Sequence, residues 1–172
     1  QFLLTLWNTY SFWVTYANAS EVGLGDLPEP TSSDNELDRW ALSRLQALVS
    51  AVRHTMDDFD CTAAGRMIAA YVDEISNWYV RLNRRRFWES DRQAFATLRH
   101  CLLELSKLLA PFTPFLADEI YCNLVGGEAE DFGEAPDSVH LCDYPEAVME
   151  LADAELESGM EAAQRTIELG RA

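Results

Sequence analysis

Arginine and aromatic side chains crowd one stretch near the middle of the chain, residues 76–88. The stretch reads Ser-Asn-Trp-Tyr-Val-Arg-Leu-Asn-Arg-Arg-Arg-Phe-Trp. Continued as a helix, it gathers polar and aromatic side chains on one side, opposite the apolar residues that are predicted to face the core. That side carries Arg66, Asn77, Arg81, Arg84 and Trp88. Guanidinium groups bind phosphates through paired hydrogen bonds, and an exposed indole can stack on an unpaired base, so these residue types predict a surface for looped RNA. We call this predicted RNA-binding set, together with the adjacent Arg85, the arginine face.

The same arginines could instead form a structural network that binds no ligand. Carboxylates suitable for this pairing lie on neighbouring turns: Asp73, Glu74, Glu89 and Asp91. Arg86 would point toward the core if the helix continued, so either the helix ends near Arg84 or Arg86 is packed and paired. Both interpretations stay open from the residues alone.

Residue patterns of catalytic and metal sites are absent from the sequence. The three histidines are far apart, and the single lysine, Lys107, lies in no phosphate-binding Gly-rich loop. The four cysteines include no Cys-x-x-Cys pair, which indicates reduced thiols in a cytosolic protein. We expect no catalytic residue, no metal ligand and no cofactor in this chain.

Charge is distributed unevenly along the chain. The net charge is −16, which by itself argues against a nucleic-acid partner. Residues 1–36 carry −5 and residues 108–172 carry −13, whereas residues 37–107 carry eleven basic and nine acidic residues, a net +2. Twelve of the thirteen basic residues are arginines. An acidic, lysine-poor composition is typical of a high-salt cytoplasm, and a GC-rich genome would also replace lysine by arginine.

The apolar periodicity is helical along most of the chain and predicts an all-α bundle of about five to six helices. No apolar run is long enough to predict a membrane span. The predicted core includes Leu82, at the end of the third predicted helix, and four aromatic residues: Trp40, Trp78, Tyr79 and Phe112. Loops are predicted at 21–34 and 126–145, the second with a short extended piece at 138–141. Helices are predicted at about 2–18, 37–56, 62–82, 91–109, 114–125 and 146–169.

Several motifs resemble one known family. Asn-Trp-Tyr-Val-Arg at 77–81, followed by Arg-Arg-Arg-Phe-Trp at 84–88, resembles the signature of the anticodon-binding domain of isoleucyl-tRNA synthetases. Further similarity covers Leu-Trp-Asn-Thr-Tyr-Ser-Phe at 6–12, Asp-Arg-Trp at 38–40 and Leu-Ala-Pro-Phe-Thr-Pro-Phe-Leu-Ala at 109–117. Ser-Val-His-Leu at 138–141 matches the closing segment of the family. Several of these motifs are shared with valyl and leucyl synthetases, and the triple-arginine run favours the isoleucyl enzyme.

The resemblance implies an organisation and a set of partners. Residues 1–145 would form the anticodon-binding bundle, and residues 146–172 a helical segment leading to a further C-terminal region. The implied partners are an isoleucine-specific tRNA and the remaining domains of the same cytoplasmic synthetase; we expect a monomeric fragment that contacts no membrane. ATP and Mg²⁺, with Zn²⁺ as a further candidate, would act in parts of the enzyme outside this fragment. The alternatives are a valyl-tRNA synthetase domain, or a helical adaptor whose aromatic first helix docks on another protein.

Overall fold

The computed structural model describes residues 2–126 and 135–170, in which no residue belongs to a β-strand. A π-helical segment, Ile75–Val80, follows α3 directly. Short 3₁₀ turns cover Leu24–Asp26, Pro30–Ser32, Val139–Leu141 and Met149–Leu151. The predicted all-α fold is confirmed. The α-helices are α1 (Phe2–Ala19), α2 (Glu36–Asp57), α3 (Cys61–Glu74), α4 (Arg84–Trp88), α5 (Arg92–Leu109), α6 (Pro114–Val125) and α7 (Ala154–Leu169).

Side-chain oxygens fix where several helices begin. Asn35 accepts a hydrogen bond from the Leu37 amide at 2.9 Å and starts α2. Asp60 caps α3, and Asp91 accepts from the Gln93 amide at 2.9 Å to start α5. Each carboxylate or amide oxygen satisfies a backbone N–H that the helix itself leaves unpaired. The sequence could therefore indicate these helix starts from local residues alone.

The core lies where α1, α2, α3, α5 and α6 meet. Two hydrogen bonds cross it: the Trp13 indole donates to the Phe95 carbonyl at 2.9 Å, and the Tyr71 hydroxyl donates to the Ala41 carbonyl at 3.0 Å. These bonds satisfy the polar ends of buried aromatic rings. The large side chains that are almost completely buried include Tyr71, Tyr79, Phe87, Phe95, Leu6, Leu45, Ile68 and Ile75.

The C-terminal part departs from the prediction in two places. Residues 138–141 do not form an extended piece, because Asp118 accepts hydrogen bonds from the Ser138 hydroxyl and the Val139 amide, at 2.7 and 2.9 Å, and a 3₁₀ turn results. The last helix begins at Ala154 and not near residue 146. Before it, the Val148 amide donates to the Gln46 side chain at 2.8 Å, and the Asp153 amide donates to the Ser43 hydroxyl at 2.7 Å. The second bond, made to α2, takes the place of one within a helix. Residues 127–134 of the predicted acidic loop lie outside the described residues.

Ion pairs attach the C-terminal segment to α2. Arg39 contacts Asp153 at 2.6 Å, and Arg53 contacts Glu146 at 3.3 Å. Among the described residues of α7, none is fully buried. The segment therefore packs on the bundle through charged contacts and through the partly buried Ala147, Leu156 and Met160, and the boundary after residue 145 remains a prediction. None of the described helices is long and apolar enough to span a membrane.

Candidate nucleic-acid interface

A π-helical segment and a turn at Asn83 set the orientation of the arginine-rich stretch. Buried side chains recur every four residues here, at Ile75, Tyr79, Asn83 and Phe87. In an α-helix of 3.6 residues per turn, each step of four advances about 40° too far, so a regular helix would rotate these residues off the core. The wider π turn opposes that drift. Helix α4 then starts afresh after the turn at Asn83.

This change of phase corrects the predicted core position of Leu82. Leu82 is 51% exposed, and Asn83 beside it is buried. The Asn83 amide donates to the Tyr79 carbonyl at 2.9 Å, and its oxygen accepts from the Arg86 guanidinium at 3.0 Å. A polar residue can occupy this core position because both ends of its side chain are hydrogen-bonded.

The structure exposes all six residues of the arginine face. Arg84 and Trp88 lie four residues apart in α4 and share one side of that helix. Trp88 is 78% exposed. Arg66 lies on α3, before the π segment, so it does not keep the alignment with Arg81 and Arg84 that an uninterrupted α-helix would give. The structure thus exposes the predicted residues but does not arrange them as one straight helical row.

The arginines of the stretch differ in their pairing. Arg81 and Arg84 form no ion pair or side-chain hydrogen bond with any residue in the ranges 2–126 and 135–170. Arg85 pairs with Glu89 at 2.7 Å across one turn of an exposed surface, a contact that water and salt weaken strongly. The network interpretation therefore applies to only part of the stretch.

Arg86 lies behind this surface and is paired internally. It makes a bidentate contact with Asp38, at 2.7 and 2.8 Å, and its Nε donates to Asp91 at 2.7 Å. Burial opposes the charge of Arg86, but the hydrogen bonds to Asp38 and Asp91 outweigh it, and the pKa of the guanidinium is raised. Both alternatives considered for Arg86 are realised, because the helix breaks before Arg84 and Arg86 is packed and paired.

The four predicted core residues fall into two groups. Trp40 and Tyr79 are buried, whereas Trp78 and Phe112 are partly buried and pack against the core. The Tyr79 hydroxyl donates to Asp38 at 2.7 Å. Burial, followed by the charge of Asp38, raises the pKa of Tyr79 well above its usual value. Tyr79 is therefore a neutral hydrogen-bond donor inside the bundle and cannot stack on a base.

The described residues offer no grouping suited to metal binding, since no three His, Cys, Asp or Glu side chains among them come together. The cysteines are not paired in disulfides. Burial raises the pKa of the Cys101 thiol to about 12, so this thiol stays protonated at neutral pH and is a poor nucleophile. What the exposed surface offers chemically is charge and an aromatic ring.

The family described as "Anticodon-binding domain of tRNA ligase" matches residues 38–172, most of the chain. The chain belongs to this family. The match includes the π segment, the turn at Asn83 and helix α4. The domain is similar to isoleucine–tRNA ligases along nearly its whole length. It is 46% identical to that of Dehalococcoides mccartyi strain 195 over 99% of the chain. It is 44% identical to those of Deinococcus radiodurans, over 98% of the chain, and Thermus thermophilus, over 99%.

The domain spans only a small part of these relatives, 17% of the first and third and 15% of the second.

One residue that supports the arginine face was missed among the predicted site residues: Asp38, which is completely buried. Asp38 lies in the first turn of α2, where a carboxylate also favours helix formation by its charge. The local sequence therefore cannot distinguish a buried ion-pair partner from an ordinary helix-start residue.

Proposed function

We propose that this domain binds the anticodon stem-loop of a tRNA through the arginine face. The observation that supports this most directly is that Arg81 and Arg84 are left out of the ion pairs formed by the described residues. In a chain with 29 acidic residues, these two guanidinium groups lack a carboxylate partner among the described residues. They flank the turn at Asn83, and helix α4, which follows this turn, carries the exposed ring of Trp88. Arginines on phosphates and an indole on a splayed base are the contacts by which proteins hold looped RNA.

We further propose that the domain serves an isoleucine–tRNA ligase and that its RNA is an isoleucine tRNA. The support is the similarity to relatives with that name. In the longer enzyme, ATP and Mg²⁺ would act in regions outside this chain, and those regions would be the domain's protein partners. A valyl-tRNA synthetase domain remains the closest alternative, because many of the motifs are shared.

The test is a titration of the Arg84→Ala/Arg85→Ala double variant against anticodon stem-loops of isoleucine and valine tRNAs at one salt concentration. Hydrogen bonds to a charged group contribute about 1.5–3 kcal/mol each, so we expect affinity to fall at least about tenfold. The isoleucine stem-loop should bind more tightly than the valine one to the unmodified domain. An Arg165→Ala variant is the matched control, since Arg165 is an exposed arginine on α7 paired with Glu161.

A protein adaptor is the second candidate, and the surface of α1 favours it. Leu3, Leu4 and Trp7 are 45%, 63% and 41% exposed, although the opposite side of α1 is buried in the core. Exposed apolar side chains that lie together often mark a protein–protein interface. Unchanged RNA affinity in the Arg84→Ala/Arg85→Ala variant would contradict the RNA-binding proposal and leave the adaptor as the better explanation.

A further inference from the structure

A completely buried carboxylate lies beneath the arginine face. Asp38 is 0% exposed, and both of its oxygens are fully used. Its Oδ1 accepts hydrogen bonds from the Tyr79 hydroxyl and from Arg86, each at 2.7 Å. Its Oδ2 accepts from the Ser33 hydroxyl at 2.6 Å and from Arg86 at 2.8 Å. Asp38 is too deeply buried to contact any ligand itself.

A buried ion pair of this kind is weak evidence of a stabilising role. Removing a carboxylate and a guanidinium from water carries a large desolvation cost, and apolar pairs of similar volume are often as stable or more stable. A bidentate pair fixes direction instead, because two parallel hydrogen bonds hold the planar guanidinium in one orientation. The third nitrogen of Arg86 is also fixed, by Asp91, whose other oxygen caps α5. One side chain thereby joins the start of α2, the turn at Asn83 and the start of α5.

Helix α4 is held on the bundle by this ion pair and by Phe87, which is completely buried. The helix has only five residues, too few for a helix to persist by its own hydrogen bonds. Successive residues of an α-helix differ by about 100°, so Arg84 and Trp88, two residues before and after Arg86, both lie about 160° from it. Holding Arg86 inward therefore directs Arg84 and Trp88 outward together.

We propose that Asp38 and Arg86 are positioning residues of the RNA-binding surface, which orient Arg84 and Trp88 toward the RNA without contacting it themselves. This inference rests on the proposed function, because it assumes that the arginine face binds RNA. It assigns Arg86 a different task from its neighbours in the triple-arginine run: Arg84 contacts the ligand, and Arg86 holds the helix that presents it.

The decisive variant is Asp38→Leu/Arg86→Met, which replaces the ion pair by apolar side chains and leaves the net charge unchanged. We expect this variant to stay folded but to unfold at a lower urea concentration, because the Ser33 and Tyr79 hydroxyls and the Asn83 side chain lose buried hydrogen-bond partners. It should bind the anticodon stem-loop about tenfold more weakly, the equivalent of one lost charged contact. Hydrogen exchange should accelerate more for the amides of α4 than for those in the interior of α5.

Two single variants keep the test informative if the double variant folds poorly. Arg86→Lys preserves the charge but loses the bidentate geometry, so we expect it also to weaken RNA binding. Arg44→Lys is its matched control: Arg44 makes a bidentate pair with Glu74, both distances 3.0 Å, between α2 and α3 and outside the arginine face. We expect Arg44→Lys to leave RNA affinity unchanged.

The outcomes separate this inference from the proposed function. If Arg84→Ala weakens binding while the apolar pair and Arg86→Lys bind RNA as the wild type does, Asp38 and Arg86 are only structural and the inference is wrong. If Arg84→Ala itself binds RNA normally, the arginine face is not the RNA site and the proposed function fails first. Weaker binding in Arg86→Lys with normal binding in Arg44→Lys supports the positioning role.

Discussion

Removing Arg81 and Arg84 together should flatten the salt dependence of RNA binding. Each phosphate neutralised by a cation releases counterions and contributes about 0.7–0.9 to the slope of log affinity against log salt. Arg81 and Arg84, which have no ion-pair partner within residues 2–126 and 135–170, therefore account for a slope of about 1.4–1.8. Between 50 and 200 mM salt, a fourfold change, that slope corresponds to a loss of affinity of about 7–12-fold. The Arg81→Ala/Arg84→Ala variant should lack this component of the loss.

The assay is fluorescence anisotropy of a labelled anticodon stem-loop at several KCl concentrations between 50 and 200 mM. The wild-type domain, the double variant and Arg165→Ala are compared under the same conditions. Arg165 is exposed and paired with Glu161 on α7, so its removal changes the net charge without touching the arginine face. We expect its slope to equal that of the wild type.

Two results would refute this reasoning. A double variant whose slope stays within about 0.5 of the wild-type value would mean that neither arginine neutralises a phosphate. An equal flattening in Arg165→Ala would mean that the slope reports the overall charge of the domain and not contacts at this surface. In either case the salt slope would give no support to phosphate contacts by Arg81 and Arg84.

Three further outcomes are expected. Trp88→Ala should weaken stem-loop binding by about 1–3 kcal/mol through lost stacking, with the salt slope and the thermal midpoint unchanged because the ring is 78% exposed. Phe87→Ala should lower the free energy of unfolding in urea by about 3–5 kcal/mol, because Phe87 is fully buried with edge-to-face contacts to Phe12 and Phe95, each at 5.1 Å between ring centroids. Burial lowers the pKa of His100 below 6.5, so the unfolded chain takes up a proton first as the pH falls. Stability should therefore decline as the pH drops below about 6.5, until the folded protein is protonated too, and His100→Gln should reduce that decline in urea unfolding.

Local residues predict most of the helix boundaries in this fold. Asp91 and Pro114 mark the starts of α5 and α6, because capping and the fixed φ of proline act on the adjacent backbone alone. The prediction was wrong at Leu82, where a period of 3.6 was continued through a stretch that contains a π turn. An apolar pattern indicates which side chains are buried, but one extra residue in a helical turn shifts the positions that face the core.

The start of the last helix was also mispredicted, for a different physical reason. Ser43 and Gln46 on α2 hydrogen-bond the amides of Asp153 and Val148, about a hundred residues away in sequence. The bond from Ser43 satisfies the Asp153 amide, which a helix starting near residue 146 would have paired internally, and the bond from Gln46 satisfies the Val148 amide outside any helix. Such long-range competition is absent from any local window, so periodicity alone extended the helix too far toward its N-terminus.

The arginine-rich stretch shows how much of a candidate site depends on such distant partners. Four arginines within six residues suggest four equivalent phosphate contacts, but Arg86 is bound by a carboxylate 48 residues earlier in the chain, and Arg85 shares its charge with Glu89. Only Arg81 and Arg84 lack an ion pair among the described residues of this stretch. The number of arginines in a motif is therefore an upper limit on its phosphate contacts. In an acidic chain, pairing within the fold determines how many remain for RNA, and the same pairing sets the direction in which they point.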